Sequence, residues 1–124
     1  MSKQVLIISS SPRKGGNSDT LCDQFLKGAA EAGNRVEKIR LADLKIDYCS
    51  VCYACKTTGR CVKRDDMEQI IEKMRDADVI VLATPVYFYT MCAQMKTMID
   101  RTLGGAQTPG LENKEFYLIA TAAD

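Results

Sequence analysis

Val5-Leu6-Ile7-Ile8-Ser9-Ser10-Ser11-Pro12-Arg13-Lys14-Gly15-Gly16-Asn17-Ser18 is the stretch that decides the fold. Lys3 to Ile8 is a short apolar run rich in β-branched residues, and it ends at a Ser/Pro/Gly cluster, so it reads as a buried strand entering a loop. Beyond the loop, Leu21, Phe25, Leu26, Ala29 and Ala32 recur at spacings of three and four, with Gly33 as a stop. That pattern is a helix, and Asn17 or Ser18 is its expected cap. A loop between a strand and a helix N-terminus has the parts for a phosphate, because free backbone N–H groups and the helix dipole favour negative charge there. Ser9, Ser11 and Ser18 offer hydroxyls, Asn17 an amide, and Arg13 a planar charged fork. Gly15 and Gly16 permit close approach of backbone. The Lys-Ser/Thr ending of a Walker loop and the glycine spacing of a dinucleotide fingerprint are both missing, which leaves a mononucleotide phosphate. The competing reading is a plain strand-to-helix turn, which the same residues serve.

Outward from this stretch, Arg35 to Leu41 reads as a second strand, and 42–64 lacks a clean period and reads as a long functional loop. Asp65 or Asp66 is the expected cap of a helix with the stripe Met67, Ile70, Ile71, Met74 and Ala77. Asp78 to Ala83 is a second buried strand, ending at Thr84-Pro85. Thr90 then opens a helix bearing Cys92, Met95, Ile99 and Leu103, stopped by Gly104 and Gly105, and Glu115 to Thr121 is a further buried-type strand. Alternating strands and helices imply an α/β protein with a parallel sheet wrapped by helices. Ligands sit beyond the carboxyl ends of such strands, so Ser9 to Ser18, Thr84 to Tyr89 and Thr121 to Asp124 are the expected walls of one site. Tyr87, Phe88 and Tyr89 supply aromatic surface there for a flat ring; as a structural alternative, at least one of the three is expected in the core.

Composition narrows the chemistry. The 124 residues are 46% hydrophobic and 27% charged, with 17 basic against 16 acidic residues. That is the range of one soluble domain, here 1–124, with no global field to attract nucleic acid or an anionic membrane. Apolar runs are far below the roughly 20 residues of a membrane span, and the start Met1-Ser2-Lys3-Gln4 is no secretory signal, so a cytoplasmic protein is expected. There is no histidine, which removes Ser-His-Asp catalysis and two-His zinc sites. Chemistry is left to a cofactor, to thiolates, or to carboxylates, Lys and Tyr. Four of the six cysteines, Cys49, Cys52, Cys55 and Cys61, share the loop. Their spacing resembles ferredoxin-type ligation, with a wider last interval and no following proline. A [4Fe-4S] cluster, a zinc site and free or redox-active thiols remain open, zinc being disfavoured because its usual cysteine pairs are further apart. Cys22 and Cys92 fall on apolar helix faces and read as small core residues.

Four motifs in order, Ser10-Ser11-Pro12-Arg13-Lys14-Gly15-Gly16-Asn17-Ser18, the cysteine stretch ending in Arg64-Asp65-Asp66-Met67, Thr84-Pro85-Val86-Tyr87-Phe88, and Lys96 with Ile99-Asp100-Arg101, resemble the NADPH-dependent FMN reductase and iron-sulfur flavoprotein group. The resemblance spans nearly the whole chain. It implies a flavodoxin-like, three-layer, doubly wound sheet of strand order 2-1-3-4, with the fifth strand and closing helices of such folds absent. It implies FMN, its phosphate on Ser9, Ser11, Arg13, Asn17 and Ser18 and its ring against Pro85, Val86, Tyr87 and Phe88, with Thr121 at the neighbouring strand end. It also implies NAD(P)H as electron donor, a small-molecule or protein acceptor, and a homodimer or higher homo-oligomer. The cysteine spacing is similar to that of members in which a [4Fe-4S] cluster is held, while other members resemble it without one. The expected function is a flavin oxidoreductase; a non-enzymatic flavodoxin-like electron carrier and a thiol or metal redox module are the alternatives. The chemistry belongs to the flavin, and no catalytic residue is named.

Overall fold

The computed structural model describes residues 2–123. Its elements are β1 (Gln4–Ser9), α1 (Asn17–Glu31), β2 (Arg35–Arg40), α2 (Ala54–Thr58), α3 (Met67–Asp76), β3 (Val79–Tyr87), the two-residue β4 (Thr90–Met91), α4 (Ala93–Gly105) and β5 (Glu115–Thr121). β1 is buried on both faces, which is why its sequence is continuously apolar instead of alternating. Val5 and Ile7 join Val79, Val81 and Ala83 under α1, packing on Cys22, Phe25 and Leu26. Leu6, Ile8 and Ile80 face the other way, onto Met67, Ile70, Ile71 and Met74 of α3 and Met95 and Met98 of α4. Each large side chain so buried contributes roughly 1.5–3 kcal/mol. Two helical layers thus enclose one sheet.

The parallel order is β2-β1-β3-β5, with β4 bonded antiparallel to the far end of β3. This is the expected 2-1-3-4 arrangement, the hairpin strand aside. In register, Ser9 lies beside Arg40 and Ala83, and Pro85 beside Thr121. The carboxyl ends of β1, β3 and β5 therefore form one rim.

Several local expectations are corrected. β3 runs on through Thr84-Pro85 to Tyr87, and Thr90 belongs to β4 instead of opening a helix. α4 starts at Ala93, after Cys92, whose N–H donates to the Thr84 hydroxyl at 3.0 Å. Gly104 and Gly105 do not stop α4 but end inside it, because they are contact points. A Cβ on Gly105 would come within 2.6 Å of Ile71, and one on Gly104 within 3.1 Å of Cys61. α1 begins at Asn17 with no side-chain cap, so neither Asn17 nor Ser18 has that role. Leu21 points to solvent, and Cys22 takes its place in the core. Cys92 is fully buried, but as the residue before α4 and not on its face. β5 is not buried: among the described residues it pairs with β3 alone, and it exposes Phe116 and Leu118, while the Tyr117 ring meets Phe25 in a tilted contact at 5.5 Å. Among the described residues, no helix is long and apolar enough to cross a membrane.

Candidate functional site

At the end of β1 the chain turns through Ser10, whose N–H and hydroxyl both donate to the Ala83 carbonyl, at 3.0 and 2.7 Å. Ser11 accepts the Arg13 N–H at 3.1 Å, which curls the loop. Gly15 then takes φ +75, where a side chain would strain the backbone. The first turn of α1 has no side chain capping it, so its N–H groups are the free donors that a helix start leaves. Arg13 folds over this end, its Nη2 3.4 Å from the place a Cβ on Gly16 would occupy. An uncapped start of a fifteen-residue helix with a guanidinium above it fits a phosphate. Asn17 and Ser18 sit in that first turn, Asn17 exposed and Ser18 buried, and Ser11, also buried, has its hydroxyl on the Arg13 backbone.

Ser9 does not open onto this cradle. It is fully buried, and its hydroxyl donates to Asp19 Oδ1 at 2.8 Å. Asp19 also accepts the Gly15 N–H at 2.9 Å and pairs with Lys38 Nζ at 2.8 Å, with Arg40 Nε 3.6 Å away. Burial alone would raise the Asp19 pKa, but hydrogen bonds from Lys38, Gly15 and Ser9 outweigh it and hold the carboxyl at about 2. Asp19 is thus the buried anchor of the loop, a residue the sequence reading passed over. The available signal was its position three residues before Cys22 on the inward face of α1, where a charge needs a partner.

Beside the loop, Val86-Tyr87 and Thr90-Met91 close a hairpin around Phe88 and Tyr89, both left-handed at φ 47 and 72. Two consecutive left-handed residues are what a tight two-residue hairpin needs, and here no glycine supplies them. The two rings meet edge to face at 5.4 Å and are 91% and 93% exposed; Tyr87 is 44% exposed. None of the three is core, against the expectation that at least one would be. Pro85, Val86 and Thr121 complete this side of the rim. Of the expected third wall, Asp124 lies outside the described residues.

The cysteine loop hangs from a different support. Its two ends are stapled where Lys45 N–H donates to Asp66 and Asp47 N–H to Asp65, at 2.6 and 3.0 Å. Asp65 also accepts the Met67 N–H at 3.1 Å, starting α3. Within the expected structureless stretch 42–64 the chain forms α2, which carries Cys55. Cys49, Cys52, Cys55 and Cys61 line one hollow closed by Leu103, Gly104 and Arg101 of α4. Cys49 and Cys61 each accept an N–H from the residue two further on, at 3.4 and 3.5 Å, bonds of the kind that stabilise thiolate sulfur. All six cysteines are free. Among the described residues no three Cys, Asp or Glu groups come within reach of a common metal ion. The donor set fits a cluster by its soft chemistry and shared hollow; its sulfurs are not gathered at ligating distances.

Comparison with known proteins assigns the lineage. The model of the NADPH-dependent FMN reductases matches residues 4–124. The chain belongs to the NADPH-dependent FMN reductase family. Within this family it is similar to an iron-sulfur flavoprotein of Archaeoglobus fulgidus, 42% identical over 107 residues that cover 86% of this chain and 49% of the relative. It is also similar to an iron-sulfur flavoprotein of Methanocaldococcus jannaschii, 42% identical over 99 residues, 80% of this chain and 51% of the relative. The chain spans about half the length of the curated relatives it matches. Its fold is similar to that of RosB, solved with an 8-demethyl-8-formylriboflavin-5'-phosphate intermediate, at a TM-score of 0.77 and 19% identity over 99% of this chain and 53% of that one. The flavodoxin-like parallel sheet with helices on both faces is thus shared with that structure.

Proposed function

We propose that this chain holds FMN and serves an oxidoreductase that passes electrons from NAD(P)H through the flavin to a small-molecule or protein acceptor. The observation that carries this reading is the uncapped start of α1 under Arg13, set beside an exposed aromatic hairpin on the same rim. Ser11, Asn17, Ser18 and the first-turn N–H groups take the phosphate, and Arg13 adds a charge-assisted contact. Ser9 serves it from behind, through Asp19. Pro85, Val86, Tyr87, Phe88 and Thr121 line the ring. Bound FMN supplies hydride and single-electron chemistry; the residues supply orientation and a local field.

Mixing the FMN-loaded protein with NADPH or NADH without oxygen is expected to bleach the flavin absorbance. Unchanged absorbance would rule out the reductase and leave the electron-carrier reading. Arg13→Ala is expected to weaken FMN by about 1.5–3 kcal/mol, the usual worth of a hydrogen bond to a charged group. A fluorescence titration checks it, and equal affinity removes Arg13 from the site.

Cys49, Cys52, Cys55 and Cys61 are proposed as ligands of a [4Fe-4S] cluster, supported by their common hollow and by the names of the relatives. The second reading, redox-active thiols, is favoured by the wide placement of the sulfurs. Anaerobic purification decides between them. A brown absorbance lost in Cys52→Ser supports the cluster, and an iron-free protein selects the thiols.

A further inference from the structure

Arg101 carries a buried charge in the wall of the cysteine hollow. Its side chain is 1% exposed and that of Asp65 is 5% exposed. Nη1 donates to Asp65 Oδ2 and to the Asp47 carbonyl, both at 2.8 Å, and Nη2 donates to Asp65 Oδ1 at 3.1 Å. One guanidinium thus grips both ends of the loop, Asp47 where it begins and Asp65 where it closes. A lysine could not do this, since the two-pronged contact needs the planar fork. Nε is the one nitrogen of this guanidinium that is buried with no partner among the described residues. Leaving such a donor unpaired costs about 1–3 kcal/mol, more when charged, so an acceptor is expected beside it.

One soft, polarisable group shares this wall. Cys61 and Arg101 line the same hollow, and Cys61 rests on Gly104, three residues further along α4, where no Cβ holds it off. Burial by itself would lower the Arg101 pKa; Asp65 and then the Cys61 sulfur outweigh it. Lys63, the other cation of this wall, instead lies over the Tyr48 ring at 5.4 Å.

We propose that Arg101 is the positioning residue of the cysteine hollow: its fork on Asp65 and Asp47 clamps the loop to α4, and its guanidinium sets a fixed positive charge in the wall it shares with Cys61. That charge is fixed, because a guanidinium stays protonated, and it lies closest in the fold to the end of the loop that Asp65 closes. This deepens the reading of the cysteines as a functional set, and it rests on the cluster assignment only for its effect on a bound cluster.

The test uses the reduced, metal-free chain and compares alkylation of Cys61 by anionic iodoacetate with that by neutral iodoacetamide, read by peptide mass spectrometry. A cation at the sulfur favours the anionic reagent. Arg101→Met is expected to lower the iodoacetate-to-iodoacetamide ratio at Cys61 several-fold and to leave the ratio at exposed Cys52 nearly unchanged. Arg101→Lys, which keeps the charge and loses the fork, is expected to retain most of the ratio. A loop that merely loosens would speed both reagents together. The same ratio at Cys61 in wild type and Arg101→Met would overturn the proposal. If Arg101→Met fails to fold, Asp65→Asn replaces it: freeing the guanidinium from its carboxylate is expected to raise the ratio, and no change overturns the proposal equally. Anaerobic loading of the wild type with ferrous iron and sulfide is scored separately. A ratio that responds in a protein taking up no iron removes the cluster and keeps Arg101, and iron uptake with an unresponsive ratio does the reverse.

Discussion

Replacing Asp19 with Ala is expected to cost about 3–5 kcal/mol of stability, the range for removing one partner from a buried ion pair, and to abolish FMN binding at ordinary cofactor concentrations. The stability loss arises because Lys38, 14% exposed at its side chain, and Arg40, 13% exposed, would keep their charges with no buried carboxylate between them. Lys38 would retain Asp23 at 2.7 Å, but that carboxylate is 57% exposed and replaces little of the loss. The binding loss has a separate origin. Asp19 holds the Gly15 N–H and the Ser9 hydroxyl, and these two bonds set the path of the chain between β1 and α1. Without them the left-handed turn at Gly15 has nothing to fix it, and the cradle under Arg13 becomes one conformation among several. Urea unfolding at neutral pH measures the first effect and flavin titration the second. Asp19→Asn separates them: it can keep an acceptor for Ser9 or Gly15 and loses the charge, so it should lose stability and retain weakened binding. A midpoint equal to wild type in both variants would show that the pair contributes nothing.

Asp19 also shows where the sequence stops being legible. β1, β3 and the stripe of α3 are readable because burial imposes a period on neighbouring residues, and Met67, Ile70, Ile71, Met74 and Ala77 are all buried as their spacing demands. The phosphate loop is readable because its chemistry lies in one contiguous run. Asp19 with Lys38, and Asp65 with Arg101, are pairs nineteen and thirty-six positions apart, and no local pattern announces a partner at that distance. Half of the signal was present in β2. Its period of two places Val36, Lys38 and Arg40 on the face toward α1, and Glu37 with Ile39 on the other, where Glu37 meets Lys73 of α3. A strand offering two cations to a helix implies an acid on that helix. Gly104 and Gly105 failed for the opposite reason: the rule that glycine ends helices is local, whereas the cause of these glycines is contact with Cys61 and Ile71. The hairpin at Phe88-Tyr89 escaped because two bulky aromatics replace the glycine that usually marks such a turn.

Acid is expected to unfold this protein in a narrow window, and the two buried carboxylates define it. Asp19 and Asp65 are each held at about 2, against an ordinary value of 3.8. For Asp65, burial pushes upward, and Arg101 first, then the N–H groups of Asp47 and Met67, outweigh it. The unfolded chain therefore takes up protons on these groups near pH 4, and the folded chain near pH 2. Stability that is fully present above pH 4 is lost as the pH falls from about 4 to about 2, and titration of these groups adds nothing further below that. Each group carries on the order of 2 kcal/mol of this dependence, since one pKa unit corresponds to about 1.4 kcal/mol. Two of them together make a loss of about 4–5 kcal/mol, comparable with the whole stability of many small domains. Urea midpoints by circular dichroism at pH 7, 5, 4, 3 and 2.5 should stay level to pH 5 and then fall steeply. In Asp19→Asn the neutral-pH stability is lower, but the fall between pH 4 and 2 should be about half as large, because one of the two titrating groups is gone. An acid profile of unchanged depth in that variant would mean that other carboxylates drive acid unfolding, and that the Lys38 contact does not hold Asp19 ionised.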